Sequence, residues 1–204
     1  GQKRNGILLC INGSGILYQW LRKIISGSLK NLASYDFLNA QAAKVAAGSD
    51  GLRFYPFGNG VERIFNNKEA SSGLQNLNFN RHDTAHLIRS ACEGIVFAMN
   101  YGFEIMHEIG AGGNLVKASN ANLFLSPAFR EIFVNTTQTT LELYQTNGAE
   151  GAARGAAFGF GHYKTLTEAN ENLKLIKTIE PNAALSSSYA EFYNLWKSNI
   201  QINK

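Results

Sequence analysis

The sequence predicts an α/β fold in which short strands alternate with helices, and three stretches carry that expectation. From Asn114 to Phe160, two apolar runs (Leu115 to Ala118 and Thr140 to Tyr144) are each followed by turn residues and then by helical spacing, a βαβα unit. From Gly6 to Asn12 an apolar run, read as a strand, ends in Gly13-Ser14-Gly15 and feeds an amphipathic helix. From His82 to Ile109 the helical period is sustained through Leu87, Ile88, Ala91, Cys92, Ile95, Val96, Met99, Phe103 and Met106. Strands joined through helices favour a sheet covered by helices, with the strand-end loops gathered at one edge.

At 204 residues the chain can bury one sizeable core, so one domain is expected. The formal charge of +4 is modest and its Lys and Arg residues are spread without a basic run, which argues against a nucleic-acid or membrane-surface footprint. No stretch reads as a signal peptide or a membrane span. Cys10 and Cys92 lie far apart in apolar segments and read as reduced, buried thiols of a cytoplasmic protein. The chain opens with Gly1, which fits a processed form or a piece of something longer.

In chain order, the helix after Gly13-Ser14-Gly15 is expected to bury Ile16, Trp20 and Ile24, joined by Leu17 and Leu21. A glycine-rich turn at a helix start offers free amides to an anion or a ribose hydroxyl. There is no GxxxxGK[ST] phosphate-loop pattern here, so a tight strand-to-helix turn is the simpler reading. Ser26-Gly27-Ser28 breaks the chain, and Tyr35 to Ala47 reads as a helix capped by Ser34. A turn at Ala47 to Gly51 leads into a short strand through Leu52 and Phe54 that ends at Pro56. Gly58 to Phe79 reads as a long irregular loop, with Glu62-Arg63 as a structural clamp.

The helix over 82–109 is about 40 Å long at 1.5 Å per residue and must be a central packing element. Asp83 is its expected N-cap, and Tyr101-Gly102 marks close approach of another element. His82 and His86 form H-D-T-A-H, close to the zinc-protease H-E-x-x-H, but first-turn placement argues against a metal site. In the βαβα unit the last helix is made largely of Gly and Ala, and the expectation is close packing onto the sheet rather than ligand contact. Thr165 to Glu180 is polar with a partial helical repeat, and Pro181-Asn182 is a break. Ser188 to Ile200 is a last amphipathic helix whose Tyr189, Phe192, Tyr193 and Trp196 read as core. Residues 165–204 are thus expected to form a helical extension packed on the 1–164 domain.

Five stretches in order resemble the C-terminal domain of the FGGY family of carbohydrate kinases, most nearly its xylulose kinases. INGSGILYQWLRK is similar to the family's strand, small-residue turn and Gln-Trp-Leu-Arg helix. GSDGLRFYPFGNGVER resembles "GxxGLxFLPYLxGERTP", and HLIRSACEGIVFAMNYGFEIM resembles "HLARAVLEGVAFALRxGLExL", with Arg89, Glu93 and Gly94 on matching positions. SPAFREIFVNT is similar to "SPLWRQILADV", and NGAEGAARGAAFGF to "EGAALGAALLA".

The resemblance implies an actin-like, ribonuclease-H-type domain with a mixed sheet flanked by helices, forming one wall of an interdomain cleft that holds ATP with Mg²⁺. It implies that Gly15 and Gln19 touch the nucleotide and that Ala121, Asn122 and Ser126 belong to the adenosine loop. The expected partner is an N-terminal lobe of the same polypeptide, carrying the catalytic aspartate and most of the sugar site, and a homodimer is compatible. The expected acceptor is a ketopentose, D-xylulose foremost, with gluconate, ribulose and glycerol as alternatives. Two departures stand out. The family's "GGGA" loop is Ala121-Asn122-Leu123-Phe124, and its "GERTP" is Gly60-Val61-Glu62-Arg63-Ile64-Phe65. The rival readings are a non-catalytic actin-like binding module and a zinc hydrolase built on His82 and His86.

Overall fold

The structure is a computed structural model that describes residues 6–27 and 31–202; Gly1 and Ser28 fall outside them. Helices α1 (Ser14–Ser26) and α2 (Tyr35–Ala42) precede β1 (Arg53–Tyr55), which pairs antiparallel with β2 (Gly73–Gln75). Then come α3 (Thr84–Glu108), β3 (Leu115–Ser119), α4 (Pro127–Thr137), β4 (Thr140–Tyr144), α5 (Gly148–Phe160), α6 (Leu166–Asn170), β5 (Leu175–Ile179) and α7 (Ala183–Lys197). Strands β3 and β4 are parallel, with Leu115 opposite Thr140 and Ser119 opposite Tyr144, and β5 adds antiparallel to the other edge of β4. The expected βαβα unit is present.

Helix α3 is the central element, and its sequence explains why. The Asp83 carboxylate accepts from the amides of Ala85 (2.9 Å) and His86 (3.2 Å), fixing the first turn. Ile88, Ala91, Cys92, Ile95, Val96 and Ala98 are then buried around most of its circumference, against β1, α1, α2, α4 and α7. Gly94 lets β1 cross directly over the helix, since a Cβ there would stand 2.1 Å from the Phe54 carbonyl oxygen. The aromatic face of α7 closes the same core. Trp196 stacks on Tyr55 at 5.5 Å and donates its Nε1 proton to Phe54 O at 2.9 Å. Tyr189, Tyr193 and Trp196 are buried, as the sequence pattern implies.

Several expectations are corrected. Residues 6–12 form no strand: an apolar run makes a strand only with a ladder partner, and none pairs with it among the described residues. Gly102 does receive a close neighbour, the Leu9 side chain of that run, whose Cδ1 would lie 3.1 Å from an added Cβ. Helix α1 buries Leu17, Tyr18 and Leu21 and leaves Ile16, Trp20 and Ile24 about half exposed. Its rotation is set from outside: an added Cβ at Gly13 would overlap the Pro56 carbonyl, and the Tyr18 hydroxyl donates to Asn39 Oδ1 at 2.9 Å.

Helix α2 stops at Ala42, and the 58–79 loop contains β2 and a short 3₁₀ turn. Helix α5 is not packed closely onto the sheet. None of its residues is buried, and a Cβ added at Gly148, Gly151, Gly155 or Gly159 would meet nothing within 4 Å. The polar stretch 165–180 contains β5, whose partner strand β4 is more than thirty residues away in sequence, roughly the separation at which local pattern loses its grip. Cys10 is exposed and only Cys92 is buried. Burial pushes the Cys92 thiol up to about 12, so it is inert at neutral pH.

Replacing Gly94 with Ala should destabilise the domain by roughly 1–3 kcal/mol or more, because backbone rather than a pliable side chain occupies the space. Urea unfolding of the Gly94→Ala chain measures it; a midpoint unchanged from the parent would contradict this packing.

Candidate functional site

Two turns that lead into helices carry the residues singled out in the sequence, and each is held by one charged side chain. The first leads into α1. Both oxygens of buried Glu62 accept from the Asn12 amide (3.2 and 3.0 Å), Asn12 Nδ2 donates to Val61 O at 2.6 Å, and Asn59 Nδ2 donates to Asn12 O at 2.9 Å. Glu62 is the clamp the sequence suggested, but it holds backbone, while Arg63 is exposed. Burial pushes the Glu62 carboxyl up, against the downward pull of the Asn12 and Gly13 amides. Beyond this clamp Gly15 is bare, with nothing within 4 Å of an added Cβ, and Gln19 lies one turn along the same exposed helix face.

The second turn joins β3 to α4. Arg130 reaches back from α4 and donates Nε to Phe124 O and Nη2 to Asn120 Oδ1 (3.0 Å) and Leu125 O (3.3 Å). Sequence reasoning missed its part in the site, although the Arg of SPAFR was the available signal. Ser126 is the buried N-cap of α4, its Oγ accepting from Phe129 N at 3.3 Å. Ala121 is half-buried, and Asn122 is exposed in the left-handed region at φ 54°, a strain of about 1 kcal/mol for a residue with a Cβ. Phe124, the bulkiest departure from the family's small-residue loop, turns inward. Its ring meets Phe129 at 5.5 Å and Phe133 at 5.2 Å edge-on, so its bulk goes to the core.

The two turns do not share a described cavity. One cavity of about 550 Å³ runs along α1 between Ile16, Trp20, Ile24 and Leu74. Neither it nor the hollows beside His107, Tyr55 and Arg130 is lined by Gly15, Gln19, Ala121, Asn122 or Ser126.

Asp50, Asp83, His82 and His86 are engaged in structural contacts. The sequence has three aspartates. Asp36 lies in the exposed first turn of α2. Asp50 pairs with Arg81, whose hydrogen bond holds its carboxyl below the usual range. Asp83 caps α3 and is held low by His86 and by the helix amides. His82 Nδ1 accepts from Asn78 N at 3.0 Å while its Nε2 faces Asp50 O at 3.2 Å, and His86 Nδ1 lies 2.7 Å from Asp83 Oδ1. Both imidazoles therefore serve the start of α3. Among the described residues no group of three or more His, Cys, Asp or Glu side chains could hold a metal ion. No described helix is long and apolar enough to cross a membrane.

This chain, with its parallel pair extended by an antiparallel strand and flanked by helices, superposes on FGGY kinases, which have the actin-like ATPase fold. It superposes on the xylulose kinase of Rhodospirillum rubrum with a TM-score of 0.74 and 25% identity, over 90% of this chain and 37% of that one. It superposes on Plasmodium falciparum glycerol kinase with ADP with a TM-score of 0.68 and 16% identity, over 93% and 37%. The chain belongs to the FGGY family of carbohydrate kinases: residues 9–159 match that family's C-terminal domain. Bacillus subtilis xylulose kinase is 25% identical over 191 residues, 91% of this chain and 36% of the relative. Gluconokinase of the same organism is 31% identical over 93 residues, 43% of this chain and 18% of the relative. The chain spans between 18% and 36% of the length of the curated relatives it matches.

Because Asp83 is held low in the folded chain, its contribution is present above 3.8, the ordinary aspartate value, and is lost as pH falls through the depressed folded value. Asp83→Ala should cost about 1 kcal/mol near neutrality and progressively less in acid. Denaturant unfolding of both proteins across pH checks this; a difference that grows toward low pH would contradict it.

Proposed function

We propose that this chain is the nucleotide-holding C-terminal half of an ATP-dependent carbohydrate kinase of the cytoplasm, whose acceptor is a ketopentose, D-xylulose foremost. The acceptor follows the two xylulose kinases that align over most of the chain. Gluconate is the second reading, favoured by the higher identity to gluconokinase over a shorter stretch.

The observation that carries the reading is the Asn120–Ser126 turn, which Arg130 holds rigid, with Phe124 drawn inward and Asn122 left outside. A fixed strand-to-helix turn with exposed backbone lets a flat base and ribose come close without reorganising the loop. In this reading Ala121 and Asn122 meet the adenosine, Ser126 holds that loop from beneath as the buried cap of α4, and Gly15 and Gln19 meet the nucleotide from α1. Transfer of the γ-phosphoryl to a sugar hydroxyl depends on positioning and charge neutralisation, and the hydroxyl proton passes to a carboxylate base.

The three aspartates of this chain are on the surface, paired or capping, and in this reading the base is an aspartate of an N-terminal lobe of the same polypeptide. Mg²⁺ bound with ATP would supply charge neutralisation at the transferred phosphoryl group. The open apolar stripe of Ile16, Trp20 and Ile24 supports a lobe that is covered by further polypeptide, whether the N-terminal lobe or a second copy in a homodimer.

Calorimetric titration of the chain with ADP should give binding that Arg130→Ala weakens about tenfold, the worth of one charge-assisted contact. The chain alone, given ATP, Mg²⁺ and D-xylulose, should make no sugar phosphate. No heat at millimolar ADP would favour a non-catalytic module, and measurable phosphorylation would refute the division of labour between lobes.

A further inference from the structure

We infer that the ionised carboxylate of Glu62 positions the first turn of α1 for nucleotide, so that mild acid releases the turn and weakens binding there; this rests on the nucleotide-holding role proposed above. Glu62 is fully buried and is placed by a backbone bridge, its amide donating to Lys68 O at 2.9 Å. Its two oxygens accept from the Asn12 amide at 3.2 and 3.0 Å, with the Gly13 amide beside them. Gly13 is the N-cap of α1 and has no side chain with which to cap it, and Gly15 follows two residues later. The carboxylate thus supplies, from fifty residues away, the anion that a helix start prefers.

The charge state decides whether this contact holds. An ionised carboxylate only accepts, which suits amide donors, whereas a protonated one turns an O–H toward them. Among the described residues no cation compensates the charge. Arg63 and Lys68 on the same loop are exposed, and Cys10 Sγ donates to Asn12 Oδ1 at 3.3 Å. On α3 the Tyr101 ring packs on Phe65, while Glu104 accepts from Tyr193 and Lys197. Burial outweighs the amides, so the Glu62 carboxyl takes its proton above 4.5, the ordinary glutamate value. A carboxyl raised by folding adds stability as pH falls through its folded value. Acid therefore unfastens the α1 turn without Glu62 weakening the fold as a whole, which separates a positioning residue from a merely structural one.

The test titrates the chain and its Glu62→Gln variant with ADP from about pH 7.5 down to about pH 4.5, with thermal melting at each pH. Protonation of the nucleotide is common to both proteins, so the readout is the ratio of their dissociation constants. Near neutrality the parent should bind about tenfold more tightly than Glu62→Gln, whose amide sets donors against the Asn12 and Gly13 donors. The ratio should close toward one in acid, the parent losing about tenfold for each pH unit below the Glu62 midpoint. Should the variant fail to fold, amide shifts of the isotope-labelled parent without nucleotide carry the test: those of Asn12, Gly13 and Gly15 should titrate together with a midpoint above 4.5. A ratio constant across pH, or Asn12 and Gly13 amides that stay still over that range, overturns the inference while leaving nucleotide holding intact. No binding of ADP at any pH overturns the nucleotide-holding role and the inference with it.

Discussion

Arg89 is the cation on which the rest of the molecule is assembled. It lies midway along the first half of α3 with 3% of its surface exposed, where an unpaired charge could not be sustained. Its Nε donates to Glu93 at 3.1 Å and its Nη2 to Glu131 on α4 at 3.1 Å and to the Tyr189 hydroxyl on α7, and Nη1 reaches the Ala42 carbonyl at the end of α2 at 3.5 Å. Glu93 completes the cluster by accepting from Gly48 N and Ser49 Oγ, each at 2.8 Å. Burial pushes the Glu93 carboxyl up while Arg89 pulls it down, so the two groups depend on each other for their place in the core. Removing one partner of such a pair costs about 3–5 kcal/mol, since the other is left buried and uncompensated.

That cluster matters for the site because it fixes α4. Glu131 and Arg130 are adjacent in sequence, and they face opposite duties: Glu131 ties α4 inward to Arg89, and Arg130 reaches out to the turn that precedes the helix. The turn before α1 is held in a related way, with buried Glu62 accepting the Asn12 amide fifty residues away. In both places a charge from one segment holds the backbone of another, and the residues facing solvent at the turn (Gly15, Gln19 and Asn122) carry no structural duty of their own within the described chain. Structure and availability for binding are thereby separated.

What could be read from the sequence follows from the range of the interactions. The period of α3, the capping by Ser34 and Asp83, the two parallel strands and the aromatic core face of α7 are encoded within a few turns of chain, and they were legible. The rotation of α1 was not, because it is set by Gly13 against a Pro56 carbonyl. Nor was β5, whose Leu175 to Ile179 become a strand only against β4. The Gly and Ala residues of α5 signal that something can approach that helix, but composition cannot say that its face is left open. For the site, resemblance pointed to both turns and Glu62 was legible as a clamp, while the Asn12 backbone it holds and the part of Arg130 emerged only from hydrogen bonds to distant or backbone atoms.

The central claim, that these residues hold a nucleotide through the two charged-clamp turns, is tested most directly by mapping amide chemical shifts of the isotope-labelled chain during titration with ADP. The account expects the largest changes at Gly15, Gln19 and residues 120–126, with α5 and the buried Arg89 cluster nearly unmoved. Changes concentrated along the Ile16, Trp20 and Ile24 groove, or none at saturating ADP, would contradict it.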